Sequence, residues 1–125
     1  MTVPDELKYT EEHEWIRVEG EEIVIGVSDF AQGELGDVVF IEIETVGETL
    51  AIGDTFGTIE AVKTVSDLYM PVDGGVVKVN TALEDNPELV NSDPFGEGWM
   101  IRIKLADPSQ LDELITAEAY RTMIG

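Results

Sequence analysis

Short strands separated by Gly and Asp turns predict a mainly β protein, built as a sandwich or flattened barrel of antiparallel sheets. Three observations carry that class. Several segments alternate apolar and polar residues as a half-buried strand does. Turn dipeptides recur at intervals of about 10 residues. The gaps leave no room for the helical crossovers of a parallel sheet. A chain of 125 residues, 43% of them hydrophobic, is expected to form one domain over 1–125 whose core needs no staples.

The elements follow in order. Residues 14–18 alternate, Glu19-Gly20-Glu21 turns, and 22–27 follows, which is a hairpin pattern. Ser28 is suited to cap a short helix through Gln32. Gly36-Asp37 opens a strand over 38–44, with Val39, Ile41 and Ile43 on one face and Phe40, Glu42 and Glu44 on the other. Gly53-Asp54 opens another over 55–62. A break at Lys63-Thr64 precedes 65–70, which ends at Pro71. The turn Val72-Asp73-Gly74-Gly75 leads into 76–80. Asn86 and Pro87 have the types of a cap and first residue for a brief helix through Val90. Residues 92–98 read as a loop and 99–105 as a strand. A helical tail is expected over about 107–124, because Leu111, Leu114 and Ile115 stand at i, i+3 and i+4.

Charge excludes whole classes of partner. Seven Lys and Arg stand against 27 Asp and Glu, a net charge of −20. Nucleic acid and anionic membranes would be repelled, and a basic partner or a basic socket is favoured. Without Cys there is no disulfide, thiolate zinc site or thiol nucleophile. One His cannot build a two-His metal motif. No stretch has the apolar length of a membrane span. The acidic residues 1–6 resemble neither a secretory signal nor an Arg-rich transit peptide, so a cytoplasmic location is expected. Two settings fit the acidity: a salt-rich cytoplasm, where ions screen the repulsion, and an ordinary acidic bacterial protein.

Chemistry has few places to sit. No Gly-rich phosphate loop is present. Asp29, Asp37, Asp54 and Asp93 have the positions of turn or cap residues, and the Glu pairs 11–12 and 21–22 are suited to a solvated surface. Lysine is scarce. Lys78 and Lys104 lie inside alternating strands, where an outward Lys is ordinary. Lys63 lies between two apolar-rich segments, where a hairpin tip would fall. The plain alternative is a solvating turn residue. The functional one is an attachment point, since acylating its amine makes a long arm without charge. A turn Lys without apolar enclosure lacks the lowered pKa that amine catalysis needs.

At Gly57-Thr58-Ile59-Glu60-Ala61-Val62-Lys63-Thr64-Val65-Ser66-Asp67-Leu68-Tyr69-Met70-Pro71-Val72 the sequence resembles the lipoyl-lysine hairpin of the glycine cleavage system H protein family. The likeness extends to Tyr9-Thr10-Glu11-Glu12-His13-Glu14-Trp15, to Gly26-Val27-Ser28-Asp29-Phe30-Ala31-Gln32, to Leu35-Gly36-Asp37-Val38-Val39-Phe40, and to the block from Asn80 through Pro87 to Trp99. The tail from about Leu105 is the least diagnostic part. Biotinyl domains usually place Met on both sides of the target Lys, and lipoyl domains of 2-oxoacid dehydrogenases place Asp before it. Here the neighbours are Val62 and Thr64.

The resemblance implies a lipoyl/biotinyl-type flattened barrel-sandwich hybrid of two antiparallel sheets, with short peripheral helices and a C-terminal helix. It implies a carrier subunit without catalysis of its own, with lipoic acid in amide linkage on Lys63. A pyridoxal-phosphate glycine decarboxylase would load the aminomethyl group of glycine, and an aminomethyltransferase would pass it to tetrahydrofolate. A dihydrolipoyl dehydrogenase would reoxidise the dithiol, and a lipoate ligase or lipoyl-synthesis enzymes would install the cofactor. Delivery of lipoate to other enzymes is the alternative role on the same Lys63. The resemblance places Glu14 beside the docked aminomethyl group and Asp67 near the arm. A carboxylate there can pair with the cationic amine, and Glu14→Ala is expected to shorten the adduct's lifetime. The plain alternative for Glu14 is an exposed strand carboxylate. Glu12 could reinforce the site. Glu60 could help a lipoylating enzyme or simply face water. His13, Trp15 and Trp99 are expected to be structural.

Overall fold

The computed structural model describes residues 2–125. Ten strands and four short helices follow one another. They are β1 (Lys8–Tyr9), β2 (Glu14–Glu19), β3 (Glu22–Val27), α1 (Asp29–Leu35), β4 (Val38–Glu42), β5 (Thr49–Leu50), β6 (Thr55–Ala61), β7 (Val65–Tyr69), β8 (Gly74–Val79), α2 (Ala82–Asp85), α3 (Leu89–Ser92), β9 (Ile101–Leu105), β10 (Ile115–Thr116) and α4 (Ala117–Ile124). The strands form two antiparallel sheets. One runs β10-β1-β2-β3-β9-β8-β5 and the other β4-β6-β7. The expected sandwich of two antiparallel sheets with short helices and a C-terminal helix is therefore the fold.

The main core lies between the sheets. Ile23, Ile25, Ile101 and Ile103 of the larger sheet meet Phe56, Ile59, Leu68 and Val38 of the smaller one. A second cluster on the outer side of the larger sheet joins Tyr9, Trp15, Val24 and Tyr120. Trp15 reaches it because Gly26 is its cross-strand partner. A Cβ on Gly26 would fall 2.6 Å from the Trp15 ring nitrogen. That ring N–H donates to the Pro94 carbonyl at 2.8 Å, so its one polar atom is satisfied in the interior.

α1 begins where the sequence marks it. The Ser28 hydroxyl accepts the Ala31 N–H, satisfying one of the free donors of the first turn. Ser28 also meets the hydroxyl of Tyr120 at 2.7 Å, and that hydroxyl lies 2.9 Å from Nδ1 of His13. Tyr120 thereby links α4, α1 and the loop before β2. His13, at φ 64°, packs against Phe30 and Tyr120. That is the structural role expected of a lone His beside Trp15.

Three expectations need correction. Val39 does not share a face with Ile41: it is 46% exposed, while Val38 and Ile41 are buried. The β4–β6 register shifts between Val38 and Phe40, and the extra residue of such a bulge reverses the alternation. The tail is not one helix over 107–124. Pro108–Glu113 forms a 3-10 turn, β10 pairs with β1, and only α4 is α-helical. Leu111 and Leu114 pack on the main core and Ile115 on the second cluster, so their spacing reflects two separate contacts. Asn86 is not a helix N-cap: it ends α2, its N–H donating to the Ala82 carbonyl. α3 starts at Leu89 after the Pro87–Glu88 turn.

Candidate functional site

β6 and β7 form a hairpin with Val62, Lys63 and Thr64 at its tip. The turn is closed by the Ala61 N–H donating to the Thr64 carbonyl at 2.7 Å. The Val62 N–H donates to the Asp37 carbonyl at 2.9 Å, which ties the tip to the segment after α1. Lys63 is exposed on this rigid base. Its aliphatic stem lies over Gly36, where a Cβ would stand 3.4 Å from Lys63 Cε. Gly36 has φ 78°, a conformation that favours glycine. Among the described residues the ion pairs engage Arg17, Arg102, Lys104 and Arg121, and Lys63 is in none.

Two clefts open beside the hairpin. The first, about 660 Å³, runs between α1 and β7. Val27, Ala31, Leu35, Ile59 and Leu68 make its apolar wall, and Glu12, Glu34 and Asp67 its acidic edge. The second, about 570 Å³, contains Glu14, with Thr10, Tyr69, Met70 and Leu114 among its walls. Glu12 and Tyr69 border both.

Glu14 is 3% exposed, although it begins a strand. One carboxyl oxygen accepts the Tyr69 N–H at 3.2 Å and the other the Thr10 hydroxyl at 3.3 Å. Burial pushes its pKa up to about 8; the Thr10 and Tyr69 hydrogen bonds oppose that shift and the nearby Glu12 charge adds to it. Burial thus favours the protonated form of Glu14, and a cation brought beside it would favour the ionised form. The exposed-carboxylate alternative is set aside by this burial. Asp67 is exposed on β7, on the wall of the first cleft and two residues from Tyr69.

Asp67 lies on β7, which follows the tip that carries Lys63, and Glu14 on β2 meets the end of the same strand through the Tyr69 N–H; none of the ion pairs named above joins Lys63 to either acid. Glu60 is exposed on β6, Trp15 is buried and Trp99 half-buried. Sequence reading missed Thr10 and the Tyr69 N–H as partners of Glu14, and Gly36 as the seat of Lys63. Only the Thr10-to-Glu14 spacing and the Gly36-Asp37 turn signal hinted at them.

The two-sheet sandwich thus presents an exposed lysine on a tight hairpin beside an acid-edged apolar cleft, and comparison with known proteins gives the class: a carrier protein of the glycine cleavage system. The family model described as Glycine cleavage H-protein matches residues 7–125. The glycine cleavage system H protein of Bacteroides thetaiotaomicron is 58% identical over 125 residues, covering 100% of this chain and 99% of that protein. That of Staphylococcus haemolyticus is 54% identical with the same coverage. The crystal structure of a glycine cleavage system H protein from Mycobacterium marinum superposes with a TM-score of 0.88 at 38% identity, covering 98% of each chain. The chain belongs to the glycine cleavage system H protein family, and its role is that of a lipoyl carrier in glycine cleavage.

Proposed function

We propose that Lys63 is the lipoyl attachment point and that the whole chain acts as one carrier unit, without catalysis of its own. The observation that carries this reading is the tip geometry. Lys63 is exposed and free of ion pairs, while the backbone beneath it is held by the Ala61 and Val62 hydrogen bonds. A modifying enzyme meets the amine at a fixed height, and the arm it makes is anchored on a rigid base. The donor set fits the group: an amine for the amide, and an apolar cleft edged with carboxyls within reach of the hairpin. When bound, the lipoyl group supplies a dithiolane whose sulfurs take up electrons and the aminomethyl cargo.

This chain's residues supply shelter and charge. The apolar wall of the first cleft keeps water from the arm. Asp67 sits at the cleft edge, where a carboxylate attracts a cationic amine. Glu14 holds its proton at the carboxyl until a cation nears, then gives it up and forms a charge-assisted pair. The partners of this reading are a glycine decarboxylase, an aminomethyltransferase, a dihydrolipoyl dehydrogenase and the enzymes that install lipoate. Its setting is the cytoplasm. No helix among the described residues is long and apolar enough to cross a membrane.

The test is Lys63→Arg, which keeps the charge and removes the attachment chemistry. Intact mass and peptide mapping should show one lipoyl increment on Lys63 in the wild type and none in the variant. Glycine-dependent turnover with partner enzymes should be lost while the far-UV spectrum stays unchanged. Retained turnover in the variant would overturn the proposal.

A further inference from the structure

We infer that Thr10 is a positioning residue for the aminomethyl cargo: its hydroxyl is locked as a donor to Glu14, and it holds that carboxyl oriented and ready to carry charge when the cationic arm arrives. The inference rests on the proposed attachment at Lys63 and on the proposed role of Glu14. Thr10 stands at the start of the turn that leads into β2. Its N–H donates to the Glu14 carbonyl and its carbonyl accepts the His13 N–H, both at 3.0 Å. The positive φ of His13 brings the chain back over Thr10. The Thr10 hydroxyl oxygen then accepts two backbone donors, the Glu12 N–H at 3.2 Å and the Glu14 N–H at 3.3 Å, as hydroxyls just ahead of a turn do.

A hydroxyl oxygen has two lone pairs and one proton. The two N–H groups take both lone pairs, so the proton is left to point at Glu14 Oε1, 3.3 Å away. Thr10 therefore gives a hydrogen bond to Glu14 and has no lone pair with which to accept one. The other carboxyl oxygen faces the Tyr69 N–H, which is also a donor. Two donors and no acceptor favour the ionised carboxyl, against the burial that favours the neutral one. The other titratable groups lining this second cleft are Tyr9, Glu11, Glu12, Tyr69 and Glu113, and no Lys, Arg or His is among its described walls. An ammonium carried in on the arm would therefore be the cleft's positive charge, and it would meet a carboxyl that two fixed donors already orient.

The experiment uses the full chain, lipoylated and loaded from glycine by the decarboxylase, then separated from it. Decay of the adduct is read as ammonium released with time, from about pH 6 to 9. Thr10→Val keeps the branched shape and loses the hydroxyl. It should shorten the adduct's lifetime roughly fivefold near neutral pH. The gap to wild type should narrow as pH rises, because Glu14 then ionises without help. Thr10→Ser keeps the hydroxyl and should restore the lifetime to within about twofold. In a Glu14→Gln background, Thr10→Val should have little further effect, since the two act as one unit. Far-UV spectra check folding, and Thr10→Ala carries the same expectations if Thr10→Val does not fold. A hydroxyl-free variant that matches wild type would overturn the inference. So would a loss that Thr10→Ser fails to restore, one that is constant with pH, or one that persists in full beside Glu14→Gln, each of which would make Thr10 merely a turn residue. If the wild type takes no lipoyl increment at Lys63, the carrier proposal itself fails. If Glu14→Gln decays at the wild-type rate, Glu14 leaves the site and this inference falls with it. If Glu14→Gln decays faster and the Thr10 variants do not, only the role of Thr10 fails.

Discussion

Glu14 is a carboxyl that the fold keeps protonated. Its pKa stands near 8 in the folded chain, against 4.5 when unfolded. The folded state therefore binds the extra proton between those values, and stability falls as pH rises through that window. Below about 4.5 the contribution is fully present, and by pH values above about 8 it is gone. Glu14→Gln removes the titration and keeps a hydrogen-bonding amide. Unfolding free energies from urea titrations of wild type and variant, followed from about pH 4.5 to 9, should diverge in favour of the variant by on the order of a few kcal/mol. Parallel curves would mean that Glu14 ionises normally. Of the residues singled out, Lys63 was read from the break between two apolar runs, whereas Glu14 and Asp67 came only from the family resemblance. The raised pKa of Glu14 was not legible, because it depends on burial, which only the folded chain supplies.

At the scale of elements, the Tyr120 hydroxyl is the joint between α4, α1 and the His13 loop. It bonds Ser28, whose own hydroxyl caps α1, and α1 forms one wall of the first cleft beside the hairpin. Ser28→Ala should cost about 1–2 kcal/mol, combining a lost cap and a lost buried hydrogen bond. Tyr120→Phe retains the ring stacked on Tyr9 at 4.4 Å and should cost about 1 kcal/mol. Denaturation of the double variant should show less than the sum of the two, since both remove one shared bond; strict additivity would remove Tyr120 from the joint. The longer strands β2, β3 and β6 and the Ser28 cap could be read directly, because apolar runs bounded by turn residues and cap chemistry are local. The two-residue strands β1, β5 and β10 could not: two residues have no period, and only their partners define them. The bulge in β4 escaped for the same reason.

Across the whole molecule, 27 acids face seven Lys and Arg. The ion pairs are few and exposed, such as Arg102 with Glu19 and Glu22 and Arg121 with Asp5, and pairs of that kind contribute little. Repulsion across the surface therefore opposes the compact state. Raising KCl from about 0.1 M to about 1 M shortens the screening length from roughly 10 Å to roughly 3 Å. The urea midpoint of the wild type should rise accordingly. A midpoint unchanged by salt would show that the acids are spaced widely enough not to interact. The same surface favours basic partners, and association with them should slow as salt rises.

The chain's own order of residues determined the antiparallel β class, the α1 cap and the lysine between two strands. Each of these depends on neighbours a few positions apart: alternation, a hydroxyl before a helix, a break between apolar runs. It also determined the sign of the surface, which follows from composition alone. Tertiary structure decided the burial and protonation of Glu14, the seat of Lys63 on Gly36, the clefts beside the hairpin and the break in the C-terminal tail. Those features are made by segments distant in sequence that meet only when the two sheets close on a shared core, so no local pattern encodes them.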